Sequence, residues 1–276
     1  MSIEKTRIYP INTGWLEADV GTYLFWKGKA GEKIWHPTLC FYVDTGEHKI
    51  MIDTGLPDED RATRYHHKCQ KRGCVESPDF LKNMGVDPED VDICIFTHLH
   101  WDHVHNMKVF KNARYICTQA EFTMAHNPLP LYYRSYESPL LGIEAPFVGC
   151  NFEFVEGEQT IVPGVSVFPS PGHSVGHQCV VVETSAGEAV FVGDAIFNLK
   201  NMEPNMEEKW RYWVPARFVN SVDGWKSIEE IDKRSDYILA THDETVLEHE
   251  VYPYDGMPVR QRRQTIAGTS FYFGGI

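Results

Sequence analysis

THLHWDHVHN, the stretch from residue 97 to residue 106, is the most informative part of this chain. It places four side chains that bind metal ions within six residues: His98, His100, Asp102 and His103. Imidazole and carboxylate groups are the ligands that suit zinc and related divalent metals. The apolar run VDICIF at residues 91–96 precedes the stretch and predicts a buried strand that ends there. The sequence therefore predicts a metal site at the end of a buried strand.

The spacing inside this stretch predicts two neighbouring metal positions. His98 and His100 point the same way in an extended segment, so both can bind one ion. Asp102 and His103 follow where the chain turns into a helix, and they can reach a second ion beside the first. The alternative is a turn of four solvated polar residues, and the spacing argues against it.

Three more histidine or aspartate residues follow predicted strands later in the chain. They are His173 after a strand at 165–169, Asp194 after a strand at 189–192, and His242 after a strand at 237–240. Each one alone is equally compatible with a turn histidine or a capping aspartate. Because the chain repeatedly ends a buried strand with His or Asp, we predict that these residues meet at one edge of the fold.

The rest of the hydrophobic pattern predicts two sheets that face each other, with helices outside. The predicted strands of the first half are residues 7–16, 22–27, 37–45, 48–53, 91–96 and 113–117. Those of the second half are residues 152–155, 165–169, 178–183, 189–192 and 237–240. Predicted helical segments are 58–84, a helix that begins at 118–124, and 225–234, while 126–149 predicts a long ordered loop. We expect one α/β sandwich domain over residues 1–276.

Composition and charge restrict the partners of the protein. The chain has 39 Asp and Glu against 26 Lys and Arg, a formal net charge of −13 that repels phosphate backbones. It begins with no apolar run of the signal-peptide type, and no segment has the roughly 20 apolar residues needed to span a membrane. The seven cysteines, an odd number, indicate a reducing compartment. We expect a cytoplasmic protein with a small-molecule substrate, without a nucleic-acid or membrane partner.

With these residues in place, the chain resembles the metallo-β-lactamase superfamily, whose motif is H-x-H-x-D-H followed by a later His, Asp and His. The matching residues are His98, His100, Asp102, His103, His173, Asp194 and His242, and Asp53 matches an early aspartate of the family. The resemblance implies an αββα fold, in which two mixed sheets face each other with helices outside. It implies that His98, His100 and His173 hold one metal ion. Asp102, His103 and His242 would hold the second, Asp194 would bridge the two, and Asp53 would orient ligands without binding metal.

The resemblance also implies hydrolysis. Two divalent ions about 3.5–4 Å apart hold a hydroxide between them at neutral pH, and this hydroxide is the expected nucleophile. Asp102 and Asp194 are the expected catalytic carboxylates, because Asp194 bridges the ions and Asp102 can pass a proton to the leaving group. Zinc is the expected metal, although manganese, iron and cobalt also accept nitrogen and oxygen ligands without thiolate.

Within the superfamily the chain is most similar to N-acyl homoserine lactonases and pyridoxolactonases, which implies the opening of a lactone ring. One position departs from this group. The quorum-quenching lactonases have a tyrosine three residues after the bridging aspartate, and Phe197 stands there in this chain. Either another phenol replaces that tyrosine, with Tyr132, Tyr133 and Tyr212 as candidates, or the substrate differs.

Other residues are expected at the substrate pocket. Those expected to line it are His105, Phe197 and Tyr212. One of three arginines is expected to meet any substrate carboxylate: Arg134, Arg211 or Arg217. The equal alternative is that these residues pack a long loop or a subunit contact. A homodimer stays open, because the basic stretch at 61–72 is either a surface face or a subunit contact.

Other reactions on the same fold are open as well. The site could serve another ester, thioester or amide hydrolase, or a mononuclear iron oxygenase that uses His98, His173 and Asp194 alone. A binding protein with a relict site is the non-enzymatic alternative. A one-metal enzyme has no need of His103 and His242. Because all seven ligand positions are kept, we expect a two-metal hydrolase.

Overall fold

The computed structural model describes residues 3–257, and these form two β-sheets with a shared apolar core. The first sheet contains β1 (Arg7–Asp19), β2 (Lys33–Asp44), β3 (Lys49–Ile52), β4 (Cys69–Gln70), β5 (Ile93–Ile95), β6 (Arg114–Thr118) and β7 (Phe152–Val155). Their order across the sheet is β4-β1-β2-β3-β5-β6-β7. The second sheet contains β8 (Gln159–Val162), β9 (Val165–Pro169), β10 (Gln178–Thr184), β11 (Gly187–Phe191) and β12 (Tyr237–Leu239). Their order is β12-β11-β10-β9-β8.

Helices cover the outer faces of both sheets. They are α1 (Glu59–Tyr65), α2 (Ser77–Asn83), α3 (Gln119–His126) and α4 (Ser221–Arg234), joined by short 3₁₀ turns. Buried side chains of α2 and α3 pack on the first sheet, and those of α4 pack on the second. Across residues 3–257, every helix is too short or too polar to cross a membrane. The predicted αββα sandwich is confirmed.

The alternation of side chains along each strand decides which layer they enter. In β10, Val180 faces the core between the sheets, whereas Val181 faces α4. The rings of Phe41 and Phe191, from opposite sheets, meet with 4.9 Å between their centroids. Burying such a side chain contributes about 1.5–3 kcal/mol. This apolar layer therefore holds the two sheets, and with them the ends of their strands, in a fixed relation.

Parallel strands bring the predicted ligands to one edge. β3, β5 and β6 pair in parallel within the first sheet, and β11 pairs in parallel with β12 in the second. Asp53 and His98 come shortly after β3 and β5, while Asp194 and His242 come shortly after β11 and β12. Because the carboxyl ends of parallel strands lie at the same edge of a sheet, these residues meet where the sandwich opens.

The prediction of a strand at residues 22–27 is wrong. Val20–Leu24 forms a single turn of π-helix instead. The Asp19 carboxylate accepts hydrogen bonds from three backbone N–H groups of this region, which favours a turn over an extended chain. The turn brings Tyr23 to the ligand edge.

Three other features of the secondary structure differ from the prediction. The segment 58–84 is not one helical stretch: α1 and α2 are separated by β4, which pairs with β1. Gly73, with a φ of 77°, turns the chain between them, and Pro78 is in the first turn of α2. β7 pairs with β6 in the first sheet rather than the second. The unpredicted β8 is a short and mostly exposed extension of the hairpin with β9, so its hydrophobic signal is weak.

Candidate metal centre

The seven predicted ligands lie together at this edge, and all are buried. They form three groups, in each of which the possible ligand atoms lie within 4.8 Å of one another. The first group is His98, His100 and His173, the second is His98, His103 and Asp194, and the third is Asp102, His103 and His242. Because neighbouring groups share a histidine, the cluster is continuous, with Asp194 in its middle group. Its shape fits two adjacent metal ions.

Hydrogen bonds on the far side of three imidazole rings fix which nitrogen faces the cluster. His103 Nδ1 donates to Asp53 Oδ2 at 2.8 Å, His242 Nδ1 to Pro37 O at 2.8 Å, and His173 Nδ1 to Arg217 O at 3.1 Å. A carbonyl or carboxylate oxygen can only accept, so each Nδ1 carries a proton, and the Nε2 of each ring in its neutral form presents a lone pair to the cluster. Such bonds are the usual way in which proteins orient histidine ligands.

Four atoms of the cluster are buried without a hydrogen-bond partner among the described residues: His98 Nε2, His103 Nε2, His242 Nε2 and Asp194 Oδ1. Asp194 Oδ1 lies 3.2 Å from His103 Nε2 and from His242 Nε2, but neither contact has hydrogen-bond geometry. An unpaired buried polar atom costs about 1–3 kcal/mol. Four such atoms in one place fit a bound cation, and their nitrogen and oxygen donors suit a divalent metal.

The electrostatics of the cluster suit metal binding. Burial, reinforced by neighbouring imidazoles, lowers the pKa of His98 and His100 well below that of a free histidine. Burial alone would raise the pKa of Asp194, but His242 and His103 hold it well below its usual range. In return, and against the effect of burial, Asp194 raises the pKa of His103 and His242. Binding a cation at those two rings therefore releases protons.

Asp53 stands behind the ligands and ties two strand ends together. Its Oδ1 accepts the Thr97 N–H at 2.9 Å, and its Oδ2 accepts from Thr97 Oγ1 and His103 Nδ1, both at 2.8 Å. Asp53 has a φ of 56°, a conformation that costs a non-glycine residue about 1 kcal/mol or more. The three hydrogen bonds offset this strain. The geometry fits the predicted role of orienting ligands.

A second buried carboxylate, Glu121 in the first turn of α3, was not predicted. Its Oε1 accepts from Leu99 N at 3.0 Å and Tyr136 Oη at 2.9 Å, and its Oε2 accepts from Ser174 Oγ at 2.6 Å and Gly176 N at 3.2 Å. Leu99 lies between two ligands of the first group, and Ser174 follows the third. Glu121 thus joins both ligand loops. No sequence signal marks it, because glutamate in the first turn of a helix is common.

Comparisons with known proteins identify the family of this chain. The family model of the metallo-beta-lactamase superfamily matches residues 34–242, a range that includes all seven predicted ligands. The chain belongs to this superfamily. Curated relatives include an N-acyl homoserine lactonase of Bacillus thuringiensis, 27% identical over 217 residues that cover 75% of this chain and 81% of the relative. An N-acyl homoserine lactonase of Bacillus sp is 30% identical over 183 residues, covering 63% of this chain and 69% of the relative.

A solved structure shows the same similarity. It is an N-acyl homoserine lactone hydrolase with the product N-hexanoyl-L-homoserine bound at its catalytic metal centre. It is 25% identical to this chain, with a TM-score of 0.72, and the match covers 92% of this chain and 99% of the other. The superfamily fold is thus matched over almost the full length of that protein.

We call three half-buried side chains beside the metal centre, Tyr23, His67 and Arg217, the mouth of the site. Phe197 is fully buried, and its ring lies 5.2 Å from the ring of His242 and 5.2 Å from that of Tyr23. The Tyr23 ring also lies 4.9 Å from the ring of His67. Within residues 3–257 the Tyr23 hydroxyl forms no hydrogen bond, and burial together with the carboxylates of the cluster raises its pKa. Tyr23 is thus a protonated phenol beside the cluster, missed because its segment was predicted as a strand.

Tyr212, in contrast, does not lie at the mouth, which corrects the prediction. It is fully buried on the outer side of the second sheet, where its hydroxyl donates to Asp232 Oδ2 at 2.8 Å and its ring packs on Trp225 of α4. An acceptor on α4 therefore holds this phenol away from the ligands. His105 is half-buried, and its Nδ1 has no partner among the described residues. Its place in the substrate pocket stays a prediction.

The three candidate arginines differ in the groups that their side chains and backbone contact. Arg211 pairs with Asp232 at 2.9 Å, and Arg134 donates to Tyr65 O at 2.9 Å and to Tyr133 Oη at 2.9 Å. The backbone carbonyl oxygen of Arg217 instead accepts a hydrogen bond from His173 Nδ1. Of the three, Arg217 is the one in contact with the cluster.

Proposed function

We propose that this protein is a metal-dependent hydrolase that opens a lactone ring to give a hydroxy acid. The observation that carries the proposal is the buried cluster of five histidines and two aspartates, in which four ligand atoms have no hydrogen-bond partner among the described residues. The relatives named N-acyl homoserine lactonases support a lactone as the substrate. The similar hydrolase, with a homoserine product at its metal centre, supports the site of reaction.

The proposed cofactor is a pair of divalent ions, with zinc first and manganese, iron or cobalt as alternatives that the same ligands accept. His98, His100 and His173 would hold one ion, and Asp102, His103 and His242 the other, with Asp194 between them. When bound, such a pair activates water at neutral pH and stabilises negative charge on oxygen. The absence of thiolate from the ligand set favours metals that prefer nitrogen and oxygen.

The residues of the chain complete the reaction. Hydrolysis forms a bond from the water oxygen to the carbonyl carbon and breaks the bond from that carbon to the ring oxygen. The attacking water loses a proton and the ring oxygen gains one, and we assign this transfer to Asp102. Phe197 closes one side of the cluster against water, since its side chain is fully buried. The Tyr23 hydroxyl, which keeps its proton, is the donor that we assign to the substrate carbonyl.

We also propose the domain organisation, the location and the partners of the protein. We propose a single domain over residues 1–276, a small-molecule substrate and a cytoplasmic location, with no nucleic-acid or membrane partner. The net charge of −13 supports the exclusion of nucleic acid, because it repels phosphate backbones. A homodimer stays a prediction.

The test is a hydrolysis panel with the purified protein. The panel contains N-acyl homoserine lactones of several chain lengths, simple lactones, an open-chain ester and a thioester. We expect lactone opening, followed as proton release, that a chelator abolishes and added zinc restores. Hydrolysis confined to open-chain esters would contradict the lactone assignment. Oxygen consumption by a protein with one iron and no hydrolysis would contradict the hydrolase.

A further inference from the structure

Arg217 is fixed against one of the ligand loops. Its carbonyl oxygen accepts the Nδ1 proton of His173 at 3.1 Å. Two residues later, Val219 N donates to Gly172 O at 2.7 Å, and Asn220 N donates to the same oxygen at 3.1 Å. These bonds join the segment to the Pro-Gly-His turn that carries a predicted metal ligand. The position of Arg217 is therefore tied to that of the metal centre.

The guanidinium of Arg217 links two segments beside the metal centre. Its Nη2 donates to Ser135 Oγ at 2.9 Å, and the carbonyl oxygen of Ser135 accepts the Trp101 N–H at 2.9 Å. Trp101 lies between the predicted ligands His100 and Asp102, so the guanidinium bridges two segments that frame the cluster. In addition to burial, its charge lowers the pKa of His100. The group therefore lies close to the ligands and is half-buried.

The charge of Arg217 has no protein counterion in residues 3–257. Four other arginines each pair with a carboxylate: Arg61 with Glu137, Arg114 with Glu153, Arg211 with Asp232, and Arg234 with Glu158. The chain carries 13 more acidic than basic side chains, yet none of the described carboxylates lies within ion-pair distance of Arg217. A half-buried cation without a counterion is unfavourable unless an anion binds there. The planar guanidinium presents N–H donors whose spacing matches the two oxygen atoms of a carboxylate.

We propose that Arg217 binds a free carboxylate carried by the substrate, so that the enzyme prefers lactones with a carboxylate substituent over neutral ones. This inference rests on the proposed lactonase function. N-acyl homoserine lactones carry an amide and no carboxylate, so the proposal names a different substrate class for the same reaction. The Tyr23 ring contacts those of His67 and Phe197, so aromatic surface lies beside the cluster.

The experiment compares two lactones that differ in one group: a carboxylate substituent, and the same lactone with a primary carboxamide in its place. For the metal-loaded wild type, we expect a kcat/KM ratio of about 30 in favour of the acid, the value for a hydrogen bond to a charged group. R217M should reduce this ratio to about one, mainly through a higher KM for the acid. R217K should keep part of this preference, because lysine keeps the positive charge but cannot form two parallel hydrogen bonds to one carboxylate.

R211M is the matched control, because it removes the same charge from a site that faces α4. It should keep the wild-type ratio. A wild-type ratio near one, or a ratio that R217M leaves unchanged, would overturn the proposal. Calorimetric binding of the ring-opened acid and ring-opened amide provides a second readout. If no lactone is opened, the lactonase function fails, and a loss of acid binding in R217M would still support the carboxylate subsite.

Discussion

The metal centre and its mouth are built on opposite principles. The ligands of the centre are all buried, and three of their rings are held from behind by oxygen acceptors. The mouth consists of half-buried side chains that make few polar contacts: Tyr23, His67 and Arg217. The rigid centre determines which reaction takes place. The side chains of the mouth make few contacts within the protein, so they are available to bind the substrate. Chemistry and substrate choice are therefore separable in this protein.

The origin of the two regions explains this difference. The ligands follow strands whose ends are fixed by the apolar layer between the sheets. The mouth comes from a π-turn, from the residues after α1, and from two irregular segments around 135 and 217. Irregular segments can change sequence without moving the strand ends. Variants in the centre should therefore affect every substrate, and variants in the mouth only some.

The largest effect is expected from Asp194→Ala. Removing the carboxylate between the two groups of ligands should lower kcat/KM for every lactone by about 1000-fold or more, which corresponds to a loss of about 4 kcal/mol in transition-state stabilisation. Asp79→Ala, at an exposed position paired with Lys82, is the control and should keep full activity. Turnover within tenfold of the wild type in Asp194→Ala would remove Asp194 from the centre.

Glu121→Gln should have the next largest effect. The amide keeps the shape of the side chain but replaces one acceptor with a donor, so it cannot satisfy all four of the hydrogen bonds that Glu121 accepts from the two ligand loops. We expect metal affinity to fall about 10- to 100-fold, the usual effect of disturbing residues behind metal ligands. Competition with a chromophoric chelator measures it. Glu153→Gln, in an exposed pair with Arg114, should leave the affinity unchanged.

Tyr23→Phe tests the mouth without touching the centre. The variant removes one hydroxyl, and the loss of one hydrogen bond to the substrate should reduce kcat/KM about tenfold. Metal content should stay at the wild-type value, since Tyr23 is not among the ligand groups. A fall in metal content, or unchanged kinetics, would contradict the position assigned to this phenol.

Tyr212→Phe should give the smallest effect on catalysis. Its hydroxyl serves Asp232 on the outer side of the second sheet. We therefore expect a loss of about 1 kcal/mol in the free energy of unfolding with activity close to that of the wild type. Urea denaturation and lactone kinetics on the same preparation separate the two. A large loss of activity at normal stability would indicate that the Tyr212 hydroxyl takes part in catalysis.

The sequence predicted the region that depends on local pattern. A strand that ends in His-x-His is visible within ten residues, and the later His173, Asp194 and His242 repeat the same form. Tyr23 could not be found in this way, because its position depends on backbone hydrogen bonds to Asp19 that turn an apparently extended segment. Glu121 acts through contacts that span up to 55 residues, and such contacts leave no periodic signal.

Arg217 illustrates the same limit for substrate recognition. Three arginines had equal claims from sequence, and the fold gives each of them different partners: Arg134 donates to Tyr65 O and Tyr133 Oη and meets no carboxylate among the described residues. Arg211 meets Asp232, whereas Arg217 meets none within the described part of the chain. The absence of a counterion is a property of the folded molecule alone.

The most direct test of the account is the metal content of the purified protein at saturation. We predict two divalent ions per chain for the wild type and one for His242→Ala, which removes a ligand from the third group only. Lactone opening should require the second ion. One ion per chain in the wild type, with full activity, would contradict the two-metal centre on which the proposed function depends.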